Sequence, residues 1–297
     1  MSAVTEKLTT EGMTPLRASQ TRDTWVQHLA THLVLVLGAI VILFPIAWMI
    51  STSFKSQSQV IQFPPAWIPK PVMWENYPRA LTIFPVPFWL FGWNSMYLSI
   101  GNVLGSVISN TIVAFAFARL RFRGSRILFL LVLSTMMLPQ QVTMIPLFIL
   151  FSKLGWINSY KPLIVPQFFA NAFYVFMLRQ FFTTIPRDLD DAARIDGCGV
   201  LGLFWRIMLP LAAPAVGIVA IFEFTGSWNW FLGPLIYLSK METFPLALAL
   251  SYLNASYRKL WAEMMVVSFI AMLPPLLLFF IAQKAYIQGI VVTGVKG

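Results

Sequence analysis

The chain alternates between long stretches almost free of charge and short polar interruptions, and the lengths of the apolar stretches decide what they are. A run of roughly 18 to 25 apolar residues is long enough to cross a hydrocarbon core of about 30 Å as a helix, the form that satisfies its own backbone there. Six such runs recur, at about 31–52, 94–118, 127–151, 163–183, 211–237 and 264–287. The stretch "FPVPFWLFGW" ahead of the second is also apolar but carries Pro85 and Pro87, which interrupt a continuous helix. The pattern predicts an all-α integral membrane protein with three parts: a polar N-terminal segment 1–30, a six-helix membrane domain 31–290 and a short tail 291–297. About thirty polar residues precede the first run, so a cleaved secretory signal is not expected.

One interruption differs from the rest. The segment from Asp190 to Pro210, "DDAARIDGCGVLGLFWRIMLP", gathers Asp190, Asp191, Arg194, Asp196 and Arg206 in a chain of which only 11% is charged. Asp188 follows Pro186 and is placed to cap a helix, with Asp191 three residues on, where an acid reaches back to the cap's backbone N–H. Leu189, Ala192, Ala193 and Ile195 then form an apolar stripe while Asp190, Arg194 and Asp196 face water, and Gly197 and Gly199 let the backbone turn. A second short helix is expected from Val200 to Met208, closed by Pro210 at the mouth of the fifth run. A short amphipathic element fixed between two membrane helices suits docking into a groove on another protein.

Composition agrees with the pattern. A hydrophobic share of 58% and a mean hydropathy of +0.73 exceed what a soluble core absorbs. The net charge of +10 bears on orientation. With the N-terminus inside, thirteen of the 21 Lys and Arg fall in inside segments and eight outside, and Arg119, Arg121, Arg123 and Arg126 crowd one short inside loop. Both termini and the polar island are therefore expected on the cytoplasmic side. Basic residues divided among loops make no nucleic-acid face. A single cysteine, Cys198, excludes an intrachain disulfide and a cysteine-based metal cluster.

Asp191, Ala192, Ala193, Asp196, Gly197, Ile207, Leu209 and Pro210 resemble, in identity and spacing, the EAA loop of type I ABC-importer permeases: Glu-Ala-Ala, three residues, Gly, nine residues, Ile-x-Leu-Pro. The departures are Asp191 in place of the glutamate and Cys198 where alanine is usual. "AFAFARLRFRG" (114–124), "MLPQQVTMIPLF" (137–148), "GSWNWF" (226–231) and the tail "GIVVTGVKG" (289–297) are similar to the carbohydrate-uptake branch, MalG-like and UgpE-like. The resemblance implies the permease fold, with Asp191, Ala192, Ala193, Asp196, Gly197, Ile207 and Pro210 coupling the subunit through loop 186–210 to a cytoplasmic ATPase. It also implies a second, homologous permease, two ATPase subunits that carry ATP and Mg, an extracytoplasmic solute-binding protein, and a sugar or polyol phosphate as cargo. No cofactor is expected on this chain.

Other signals are decoys or minor. Gly197, Gly199 and Gly202 spell G-x-G-x-x-G, but a helix rather than a strand precedes them and Glu223, at about the offset of a ribose-binding acid, lies inside a membrane run. The sequence contains no G-x-x-x-x-G-K-[ST] phosphate loop, and no Ser/His/acid set can be assembled, so an enzyme is not expected. His28 and His32 have a zinc-like spacing and no third ligand nearby. Gly101 and Gly105 suit close helix packing. Pro139, Pro146, Pro166, Pro274 and Pro275 break backbone hydrogen bonding inside the runs, as in transporters that open and close. Polar residues inside or beside the runs are the candidates for a solute path: Asn110, Gln140, Gln141, Asn171, Glu223, Trp228 and Asn229, with Tyr252 and Asn254 in an outer loop that would reach a binding protein. A gradient-driven transporter using Glu223 as its ion or proton site is the alternative.

Overall fold

The computed structural model describes residues 17–255 and 260–294, and among them every regular element is helical. The segment 1–16, residues 256–259 and the last three residues of the expected tail lie outside the described residues. The first run sits in a 37-residue helix, Arg17–Ser53, whose apolar part leaves the body of the subunit exposed on every side. A helix hydrophobic all round is suited to lipid or to a partner's surface. It touches the last helix, Trp261–Gly294, which carries Pro274 and Pro275 within it.

The helix Phe88–Arg119 is the axis of the fold. It starts at Phe88, ahead of the expected 94, because Pro87 occupies the cap position, where a missing N–H costs nothing; the prolines mark its beginning and do not interrupt it. Its buried face is largely polar and small, with Asn94, Ser95, Ser99, Asn102, Gly105, Ser106, Ser109 and Asn110. Gly101 and Gly105 let the fourth run approach: a methyl group on Gly105 would come within 2.8 Å of the Phe168 ring and one on Gly101 within 3.0 Å of Ile164.

Three of the remaining runs are not the single helices expected. The third divides into Ser125–Ser134, extended by a 3₁₀ turn to Met137, and Gln140–Lys153, bent by 97°. Leu138 is driven out of the helical region by Pro139, which also has no N–H to donate. The fourth contains Lys161–Ile164, a 3₁₀ segment Val165–Phe169 and Ala172–Thr184, with Ala170 at φ +62° in the break. Freed backbone groups in a membrane need partners, and the central helix supplies them. Ser109 Oγ donates to the Gln167 carbonyl at 3.0 Å, and Asn110 Oδ1 accepts from the Asn171 N–H at 2.6 Å. The fifth run, expected over 211–237, is the helix Ala213–Trp228 followed by a separate short helix, Leu232–Tyr237. By length and composition four helices can cross a membrane, and six if each bent pair counts as one span.

The connections at the end remote from the island pack on the helices. Asn76 Nδ2 donates to the Ser53 and Lys55 carbonyls at 2.8 and 2.9 Å, tying the exit of the first helix to the short helix Asn76–Thr82. Residues 246–255, expected as loop, form a helix whose Leu246, Leu248, Ala249 and Leu253 are buried.

Candidate functional site

The island begins with the helix Asp188–Ile195. Its N-cap is Arg187, with no side-chain cap bond, so Asp188 is the first helical residue and the expected capping box with Asp191 does not form. Asp188, Asp190 and Asp191 instead crowd the first turn, where negative charge is favoured by the unpaired N–H groups.

The helix is also turned relative to expectation. Asp190, expected in water, is 6% exposed, whereas Ile195 is 86% exposed and Leu189 and Ala192 also face outward; of the expected apolar stripe only Ala193 packs inward. The reason is Arg119, the last residue of the central helix. Its Nη1 lies 3.3 Å from Asp190 Oδ2, and its Nη2 donates to the Phe182 and Ile185 carbonyls at 2.7 Å each. One buried guanidinium thus joins the ends of two membrane helices to the island, and a buried acid needs such a partner. Sequence reasoning missed this pair; the available signal was an arginine closing the apolar helix at "AFAFAR".

The turn after the helix is built by Gly197. Its φ of +76° lies in the left-handed region; its N–H donates to the Arg194 carbonyl at 3.0 Å and the Cys198 N–H to the Ala193 carbonyl at 2.8 Å. That pair of bonds closes the helix end in a Schellman motif. Cys198 then lies over Gly202, where a methyl group would come within 2.6 Å of Sγ. The second helix does not stop at Met208. It runs from Val200 to Leu211, with a π segment at Leu203–Met208, and the 76° bend into Ala213–Trp228 falls after Pro210. A widened turn is where a helix accommodates a residue that cannot donate. Leu203, Phe204 and Met208 are buried against Phe115, Phe182 and Ala193, and Ile207 is half-buried. On the outside the island presents Ile195, Leu201 at 75% and Trp205 at 59% exposure beside Asp191, Arg194 and Asp196.

The candidates for a solute path divide. Asn110 is fully buried and bonded at both ends, its Nδ2 to Ser106 at 2.9 Å and its Oδ1 to Asn171 N–H, so it holds helices together; Asn171 caps the helix Ala172–Thr184. Trp228 is buried and donates to the Ala271 carbonyl at 2.9 Å. All three make their hydrogen bonds within the subunit. Glu223 is half-buried and hydrogen-bonded by the Tyr174 and Ser106 hydroxyls. Asn229 donates to the Thr225 carbonyl at 2.8 Å and borders an open cleft with Ser268 and Pro275. Tyr252 and Asn254 are exposed on the helix Leu246–Ala255. Gln140 enters a smaller cavity together with Gln167 and Trp230, two residues absent from the sequence-based set. Among the described residues no group of three His, Cys, Asp or Glu could hold a metal ion.

A sequence model of the family described as binding-protein-dependent transport system inner membrane component matches residues 81–292, the part that holds the central helix, the broken runs and the island. The chain belongs to this family. Among the relatives of this permease is the arabinooligosaccharides transport system permease protein AraQ of Bacillus subtilis (strain 168), 36% identical over 92% of this chain and 97% of that protein. Another is the sn-glycerol-3-phosphate transport system permease protein UgpE of Brucella melitensis biotype 1, 31% identical over 90% and 97%. A chain from the crystal structure of a bacterial ABC transporter that imports the acidic polysaccharide alginate superposes with a TM-score of 0.76 over 91% of the permease and 99% of that chain, at 23% identity. That likeness shows a common fold. The permease is thus an all-α membrane subunit of an importer, and the island lies where two of its membrane helices meet.

Proposed function

We propose that this permease carries a hydroxyl-rich solute inward as half of a translocation path, the other half being a second, homologous permease, and that two cytoplasmic ATPase subunits drive it through the island. The observation that carries the reading is the island's construction: an amphipathic helix with its apolar side outward, fixed from beneath by Arg119. A free subunit gains nothing by exposing Ile195, Leu201 and Trp205 at a polar end, whereas a groove on a partner would bury them. Asp191, Ala192, Asp196, Gly197 and Pro210 lie on that outer side, while Ala193 and Ile207 seat the element on the subunit. ATP and Mg would be held by the ATPases, the solute would be delivered by an external binding protein, and both termini would lie in the cytoplasm. The solute class, a sugar or polyol phosphate, is supported by the cargo named for the relatives. Glu223, the residue a gradient-driven mechanism would use, is already engaged by Tyr174 and Ser106.

The test is co-purification and uptake. The permease expressed with its neighbouring subunits is expected to bring an ATPase with it and to support ATP-dependent sugar uptake, and Gly197→Trp to abolish uptake while the protein stays in the membrane. Uptake that proceeds without ATP would sink the reading.

A further inference from the structure

Polar side chains inside a membrane protein ordinarily find partners within it, because an unpaired polar group in that environment costs several kcal/mol. One cavity gathers several polar side chains that the subunit itself leaves unpaired, from the exposed Gln140 through the half-buried Gln167 and Trp230 to the buried Tyr237. It lies at the end of the fourth run remote from the island, between the second half of the broken third run and the short helix Leu232–Tyr237, and encloses about 150 Å³. The side-chain amides of Gln140 and Gln167, the indole N–H of Trp230 and the hydroxyl of Tyr237 all line it, and none of them hydrogen-bonds to a described residue. Thr143 adds a hydroxyl to the same wall, bonded back to the Gln140 carbonyl at 3.0 Å.

The placement is fixed by the backbone. Pro139 ends one half of the third run and leaves Gln140 as the first residue of the next helix, beside the break. Gln167 lies in the 3₁₀ segment, its carbonyl held by Ser109, so that its side chain is carried on a pinned backbone. Trp230 is pressed onto Gly233, where any side chain would strike the indole, and it therefore presents a rigid flat wall.

We infer that this cavity is a binding site for one ring of a neutral sugar on its way through the subunit. This rests on the reading of the chain as an importer subunit for hydroxyl-rich solutes and narrows it. Two amides supply donors and acceptors to ring hydroxyls, and the Trp230 and Tyr237 rings match the apolar face of a pyranose or furanose. The volume is below the roughly 300–1,000 Å³ of pockets that enclose a larger ligand, so a single ring is received at a time. No Lys or Arg lines the cavity, and a phosphate or uronate would need one.

The experiment uses the assembled transporter in vesicles, with radiolabelled arabinotriose and sn-glycerol 3-phosphate as probes, comparing the parent with the double variant Gln140→Leu, Gln167→Leu. Leucine keeps the volume and removes only the hydrogen bonds, each worth about fivefold. Arabinotriose uptake is expected to fall tenfold or more while ATP hydrolysis stimulated by the binding protein stays within about twofold. Unchanged uptake would overturn the site, and so would uptake and hydrolysis falling together, which would make the glutamines packing residues. A parent that carries glycerol 3-phosphate and not arabinotriose would overturn the neutral class. A parent that carries neither would overturn the importer reading for such solutes, and the site with it.

Discussion

At Gly197 a bulky residue meets no steric obstacle from its own chain: a methyl group there has nothing within 4 Å, so only the positive φ and whatever lies outside the subunit resist substitution. The two causes separate by mutation. Gly197→Asn, tolerated in the left-handed region, is expected to leave thermal stability within experimental error, whereas Gly197→Val is expected to cost about 1–2 kcal/mol. If Asn and Val variants melt alike in detergent, the turn is not what demands glycine. Arg119 is under a different constraint, because removing it leaves Asp190 charged and buried. Arg119→Ala is expected to lose about 3–5 kcal/mol, and Arg119→Leu combined with Asp190→Leu to regain most of it. A double variant no more stable than Arg119→Ala would show that the carbonyls of Phe182 and Ile185, not the acid, are what the guanidinium serves. At this scale the motif was legible and its orientation was not. Residue types and spacing marked Asp191 to Gly197, but which face of a short helix turns inward was decided by an arginine 71 positions away in sequence, and nothing in the local pattern announces it.

The same division holds among the elements. Apolar runs are contiguous, so their positions could be read; the breaks inside them depend on which backbone groups find partners elsewhere. Pro139 signalled the third break directly, since proline cannot donate and constrains Leu138. Ala170 carries no such signal, yet its φ is +62°, in a partly buried position against the core. Asn110, whose type suggested a solute path, makes its hydrogen bonds within the subunit. Its carboxamide oxygen takes the N–H freed at Asn171, which donates to no other described group. Asn110→Leu is therefore expected to orphan a part-buried donor and cost about 1 kcal/mol, read as a lower melting temperature of the extracted subunit. Asn110→Asp keeps the acceptor and is expected to retain more stability at a pH where the acid is neutral. Equal melting of Leu and native protein would mean that water reaches the break.

For the whole molecule, the exposed apolar surface has two kinds of environment to meet. Around the first helix and the third run it matches lipid or another apolar protein surface, since the runs are long and uncharged. At the island it cannot be lipid alone, because the exposed Ile195, Leu201 and Trp205 lie close in the chain to the equally exposed Asp191, Arg194 and Asp196 at the polar end of the helices. An ion pair such as Asp191–Arg194, 3.9 Å apart and open to water, contributes little by itself, so specificity for a partner must come from the apolar contacts. Charging those contacts tests this without disturbing the fold, because neither Ile195 nor Leu201 is packed within the subunit. Ile195→Asp and Leu201→Asp are each expected to leave insertion and melting temperature unchanged while lowering the amount of co-purified ATPase at least tenfold, the loss produced by about 1.4 kcal/mol or more. Ala193→Asp should behave differently, since Ala193 is buried against Phe204 and its neighbours, and is expected to destabilise the subunit as well. Should Ile195→Asp and Leu201→Asp retain full ATPase binding, the outward face of the island would have no part in docking, and the clamp at Arg119 would be holding a structural corner rather than a transmission element.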